Sequence, residues 1–222
     1  MINYPTQPVF ARSARLFRVL LSLVLLLGVQ ASVARAGETL TVSAVAQRTP
    51  VHPGEQFAVA IVMDFAEGWH AWPNVPVVPK GLEGDLDAIP TTIKLAKDKV
   101  LATGWTVHEA STQWPKPHEV MTAGVSEPVL SYSNRSVAFV PVTLASTTAT
   151  GEVKLIFEVY YQACNESTCQ IPTTETAEVM VKVVPVGDAQ QTKDNQVELF
   201  KDFDGKVLAT LAPGAKSDAG SG

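Results

Sequence analysis

The chain has 222 residues, of which 46% are hydrophobic and 18% charged, and it carries a net charge of −5 at neutral pH. That is ordinary for a soluble globular protein. The acidic balance excludes nucleic acid and anionic membrane surfaces as partners, because both require basic groups.

In chain order, residues 1–36 read as a cleaved secretory signal. Arg12, Arg15 and Arg18 precede the apolar run 19–29, and Ala34-Arg35-Ala36 supplies a small-x-small cut site. A run of eleven apolar residues falls short of the roughly 20 needed to cross a bilayer, so cleavage after Ala36 is expected rather than anchoring. The signal holds four of the 17 Lys+Arg and none of the 22 Asp+Glu, which leaves 13 against 22 and a mature charge of −9. No later segment is apolar enough to span a membrane. The mature chain is therefore expected to be exported, in the periplasm, and long enough for one buried core.

Strand-like runs follow. Residues 40–46 (LTVSAVA) alternate, and 56–64 (QFAVAIVMD) form a longer β-prone stretch after the turn residues Pro50 to Gly54. Gly68-Trp69-His70-Ala71-Trp72 is a short segment ended by Pro73. Further strands are predicted at 91–95, 129–132, 136–144, 151–161 and 174–184. Such runs, bounded by Gly, Pro, Asn and Ser and lacking sustained helical period, predict an all-β sandwich. Pro141 inside a strand pattern predicts an edge or a bulge. The domain is expected to occupy 37–186. Residues 187–222 read as a polar, partly flexible tail, with a short helix predicted at 195–203.

The two cysteines, Cys164 and Cys169, lie in VYYQACNESTCQIP. β runs flank them and Asn165 to Thr168 favour a turn, so a hairpin with one cysteine on each side is predicted. Facing positions have Cβ atoms about 4.5–5.5 Å apart, near disulfide range. A bond closing so short a loop contributes only roughly 2 kcal/mol by chain entropy, a poor use of the only two cysteines as a staple. Spacing alone leaves redox exchange, a structural staple and metal binding all open.

Three segments now carry a resemblance: the cysteine run YYQACNESTCQIP; GWHAW (68–72) with IPTTI (89–93); and WPKPH (114–118) with LSY (130–132) and VPVTL (140–144). Taken in this order over residues 40–185, they resemble the amino-terminal periplasmic domain of DsbD-type thiol:disulfide interchange proteins. The resemblance implies an immunoglobulin-like β-sandwich with a cysteine-bearing hairpin that passes reducing equivalents. A separate membrane or thioredoxin-like donor would reduce the pair, which would then reduce an oxidised periplasmic protein. Cys169 would be the attacking residue and Cys164 the resolving one, with no cofactor required. This favours a thiol:disulfide oxidoreductase over the alternative, a non-enzymatic immunoglobulin-like binding module with a structural hairpin disulfide.

The family also shields its cysteines with a cap. By position that role falls to the segment around Trp114–Glu119, with Trp114, Pro117 and His118 as candidates, although the acidic-acidic-aromatic cap of better-studied members is absent. Trp69, Trp72 and Tyr161 are further candidates for lining the site. Relatives join this domain to a polytopic membrane segment and a thioredoxin domain; neither is present in this sequence, so a free-standing module is expected. None of the four histidines shows zinc-site spacing. No basic residue neighbours either cysteine in sequence to lower its pKa.

Overall fold

The computed structural model describes residues 39–80, 87–96, 104–188 and 192–211; the predicted signal lies outside them. The strands are β1 (Leu40–Ala46), β2 (Arg48–Thr49), β3 (Gln56–Phe65), β4 (His70–Ala71), β5 (Thr92–Leu95), β6 (Trp105–Val107) and β7 (His118–Val120). They continue with β8 (Val129–Ser133), β9 (Arg135–Leu144), β10 (Gly151–Tyr161), β11 (Ala163–Cys164), β12 (Thr173–Val183) and β13 (Lys193–Asp194). One sheet has the order β1-β3-β9-β6 and a second the order β12-β10-β5. Their apolar faces meet in one core, so the fold is the all-β, immunoglobulin-like sandwich that the alternation predicts. Phe57, Val59, Ile61 and Met63 from β3 pack with Val140, Val142 and Leu144 from β9. Leu155, Phe157 and Val159 from β10 and Val179 and Val181 from β12 complete the layer.

β12 alternates buried and exposed positions from Ala177 onward, as a strand with one wet face should. β3 is buried on both faces because a second layer covers it. Phe200 packs over Ala58, Ala60 and Phe139, and Phe203 lies against Phe139 with ring centroids 5.5 Å apart. The small side chains of Ala58 and Ala60 leave room for those rings. Beyond Val186 the chain still pairs and packs with the sandwich: β13 pairs with β2 and the 3-10 turn Val197–Phe200 brings Phe200 onto Ala58 and Ala60 of β3. The helix predicted at 195–203 is this turn, followed by one short helix at Lys206–Thr210.

Pro141 sits within β9 between β3 and β6 rather than on an edge. Its carbonyl accepts from His108 N at 2.9 Å, immediately beyond the last residue of β6. Since N and O of one strand residue point to the same side, its missing N–H faces a place where ladder pairing has already stopped.

Three of the long strands run on into a smaller sheet of order β11-β4-β8-β7. β3 reaches it through the excursion Ala66 to Trp69, where Gly68 turns at φ +79°. β9 joins β8 across Asn134, which adopts φ 53°, and β10 joins β11 after a single residue, Gln162. The cysteines belong to this smaller sheet. Among the described residues no helix is long and apolar enough to cross a membrane.

Candidate functional site

The cysteines cap a long hairpin. β10 and β12 pair from Gly151↔Val183 to Tyr161↔Thr173, and the connection between them carries a bridge Cys164↔Cys169. Continuing the long ladder would place Gln170 opposite Cys164, so the tip runs one residue out of register. The slip falls beside Pro172, which has no N–H to extend the ladder. Beyond it the tip is held by its own bonds. Gln170 N donates to Ala163 O at 2.8 Å, and Asn165 N to Thr168 O at 2.9 Å. The Asn165 carboxamide oxygen accepts from Ser167 N at 2.8 Å and Thr168 N at 2.9 Å, the side-chain turn that Asn favours. Cys164 and Cys169 are joined by a disulfide, with Cα atoms 4.0 Å apart. The predicted hairpin with one cysteine on each side is what the chain forms.

The two sulfur-bearing residues differ in exposure. Cys164 is fully buried; Cys169 is exposed, as are Glu166, Ser167, Thr168 and Gln170 around it. Next to that surface Ile171 is 87% exposed, an isolated apolar side chain beside the open end of the disulfide.

Behind Cys164 stands β4. Cys164 faces His70 in register, and His70 in turn faces Ser133 of β8. Register partners project to the same side of a sheet, so Cys164, His70 and Ser133 form a row, with Ser131 one step along on the same face. Trp72 follows on that side in a small apolar cluster with Val125 and Val129. The segment running from Met121 to Pro128 lies over this cluster, and its Ala123 N donates to Asn165 O of the cysteine turn at 2.9 Å. This layer is polar for its depth. His70 Nε2, Thr122 Oγ1 and Ser131 Oγ are buried without a hydrogen-bond partner, three of the four such side-chain atoms among the described residues. Burial lowers the His70 pKa below its ordinary value, and the nearby Glu166 carboxylate opposes that shift.

The other candidates are dispersed. Trp114 stacks on Tyr132, with centroids 6.0 Å apart and planes 4° from parallel. The Tyr132 hydroxyl, its pKa pushed up to about 12 by burial, donates to Asn74 Oδ1 at 2.6 Å. Trp69 packs against the sandwich core and Tyr161 lies within it. His118 is exposed on β7 opposite Ser131, and Pro117 directly precedes it. Trp114 and His118 line a separate groove of about 770 Å³ together with Phe139, Arg135 and Glu198. The segment bonded to the cysteine turn is the one around Ala123; Trp114 and His118 line the groove, and His118, opposite Ser131, stands at the far edge of the sheet face that carries Cys164. Sequence reasoning missed His70 as the strand partner of Cys164 and the segment around Ala123 that bonds to the cysteine turn. The pairing of His70 with Cys164 crosses most of the domain and leaves no local spacing signal. Among the described residues no group of three or more His, Cys, Asp or Glu side chains is placed to hold a metal ion.

A family model described as thiol:disulfide interchange protein DsbD, N-terminal, matches residues 37–181. Among solved structures, the chain is similar to the N-terminal periplasmic domain of ScsB from Proteus mirabilis, at 16% identity and a TM-score of 0.38. That match covers 61% of this chain and 44% of the other, so the chain spans less than half of that structure's length. It is also similar to the DsbD N-terminal domain of Neisseria meningitidis in its reduced form, at 14% identity and a TM-score of 0.34, covering 71% of this chain and 91% of that one. No curated protein matches the sequence.

Proposed function

The chain belongs to the family of DsbD N-terminal domains, and we propose that it carries out thiol–disulfide interchange in the periplasm through Cys164 and Cys169. The observation that carries this reading is the asymmetry of the pair: one cysteine open to solvent at a hairpin tip, its partner enclosed beneath. A thiolate at Cys169 can approach a disulfide on another protein, whereas Cys164 can be reached only by Cys169. The family role of attacker then falls to Cys169 and that of resolver to Cys164, as the resemblance implies. Attack forms a mixed disulfide, and attack by Cys164 on Cys169 releases the reduced partner.

The partner is an oxidised periplasmic protein, which the exposed Ile171 beside Cys169 helps to seat. The donor that restores the dithiol is a separate membrane or thioredoxin-like protein. Shielding of the pair falls to the segment around Thr122–Val125, which is hydrogen-bonded to the cysteine turn.

Equilibrating the chain in glutathione buffers, with free thiols labelled at each ratio, tests this reading. An exchanging pair opens reversibly within the glutathione range and the domain stays folded when it does. A staple would resist, with a potential below about −300 mV, and would overturn the proposal in favour of a structural disulfide. In the same assay Cys164→Ser accumulates a mixed disulfide at Cys169, while Cys169→Ser does not react readily.

A further inference from the structure

Resolution by Cys164 raises a problem of protons. A thiol enclosed in protein is held in its neutral form, yet only the thiolate attacks a disulfide, and the fully buried Cys164 has no solvent to take its proton. Across the strand pair stands His70, 4% exposed, in register with Cys164 and with a buried Nε2 that has no hydrogen-bond partner. A neutral imidazole protonated on Nδ1 presents Nε2 as an acceptor.

We propose that His70 is the base that takes the Cys164 proton in the resolving step, an inference that rests on the exchange reading above. The sequence of events balances. The Cys169 thiolate attacks a disulfide on the oxidised protein partner; that bond breaks, the Cys169–partner bond forms, and one partner sulfur leaves as a thiolate and is protonated from solvent. His70 Nε2 then takes the proton of Cys164. The Cys164 thiolate attacks Cys169 Sγ, the intramolecular disulfide forms and the mixed disulfide breaks. The second partner sulfur leaves as a thiolate and collects the proton from the His70 imidazolium. Two electrons pass from the cysteine pair to the partner disulfide.

The surroundings suit a transient ion pair. β8 faces His70 with the uncharged Ser133, and Thr122 of the covering segment is uncharged. The charged group that acts on the ring is Glu166 of the cysteine turn, which favours the imidazolium and opposes the effect of burial. Burial thus favours the neutral ring while the disulfide is closed, and a thiolate beside the ring favours its protonation.

Reaction of the reduced full chain with a symmetrical aromatic disulfide whose thiolate is coloured separates the steps, because the first release reports attack by Cys169 and the second reports resolution by Cys164. Expected for His70→Gln is an unchanged first phase and a second phase slowed about 10²-fold, the lower end for a positioned general base, with loss of the imidazole inflection in its pH profile. A second phase at the native rate overturns the role of His70 and leaves the exchange reading standing. Absence of any first phase in the native protein would overturn both. If His70→Gln does not fold, NMR of the native protein decides. The His70 ring should titrate together with a thiol in the reduced state and alone in the oxidised state; identical titration in both states overturns the proposal.

Discussion

In the sandwich β3, β9 and β10 bury mainly apolar side chains, whereas their continuations β4, β8 and β11 also bury His70, Ser131, Ser133 and Cys164. The same three stretches of chain thus build a dry core at one end and a polar layer at the other. One face of the smaller sheet joins the main core through Ala71, Tyr132 and Ala163, whereas the face that carries Cys164 has a cluster of only three buried apolar residues, Trp72, Val125 and Val129. Three polar atoms in the smaller layer lack partners. Apolar burial is therefore concentrated away from the cysteines, and opening the disulfide is expected to leave the fold standing.

The largest expected effect tests the first half of that contrast. Phe157 is fully buried in the sandwich, and Phe157→Ala should destabilise the domain by about 3–5 kcal/mol through lost burial and a residual cavity. Urea unfolding measures it. A loss under about 1 kcal/mol would mean that the stability resides elsewhere.

Opening the disulfide tests the second half. The closed loop is short, so reduction should lower stability by roughly 2 kcal/mol at most, with the β-sheet circular dichroism signal retained. Urea midpoints compared with and without reductant give the figure. A collapse of the fold on reduction would place the cysteines among the structural supports and erase the contrast.

The contrast also explains which features could be read from the sequence. β1 and β10 have the predicted limits and β12 is displaced by one residue, because a long β-prone run is specified by its own side chains. β4, β6, β7 and β11 have only two or three residues each and exist because neighbouring strands pair with them; no periodicity can announce them. The cysteine hairpin was legible because both halves of the site lie within one short stretch. His70 was not: its part depends on a β4–β11 pairing between segments far apart in sequence. The covering segment around Ala123 was missed for the same reason, since its bond to Asn165 is tertiary. Phe200 and Phe203 read as part of a tail because their run is short and its surroundings polar, although Ala58 and Ala60 leave the space they fill.

A paired substitution sharpens the comparison with a smaller effect. Thr122 has a buried hydroxyl without a partner, and an unsatisfied buried hydroxyl costs about 1–3 kcal/mol. Thr122→Val, which keeps the shape, should therefore stabilise the domain by about 1 kcal/mol. Thr143 in the sandwich is equally buried, but its hydroxyl meets Gln56 Nε2 at 3.2 Å and His108 Nε2 at 2.9 Å. Thr143→Val should destabilise by a similar amount. Chemical denaturation of the two variants side by side checks the opposite signs, and equal signs would show that the two layers do not differ in polar satisfaction.

The smallest effect is in the pH dependence, and it again has one source in each layer. Burial lowers the pKa of His70 beside the cysteines and of His108 against the sandwich from the ordinary value of 6.5. A depressed histidine is neutral in the folded chain while the unfolded chain takes up a proton, so stability is full above pH 6.5 and falls as the pH drops below it. One group can contribute at most about 1.4 kcal/mol per pH unit, and near pH 6 only part of that. His70→Gln and His108→Gln should each flatten the decline between pH 7 and 5, as read from urea midpoints. Glu166 separates the two sites, since it supports protonation of His70. Glu166→Gln should lower the His70 pKa further and steepen the acid loss, and in a His70→Gln background it should not. If Glu166→Gln steepens the loss in both backgrounds, its charge acts through some group other than His70, and the electrostatic link between the cysteine turn and that ring is refuted.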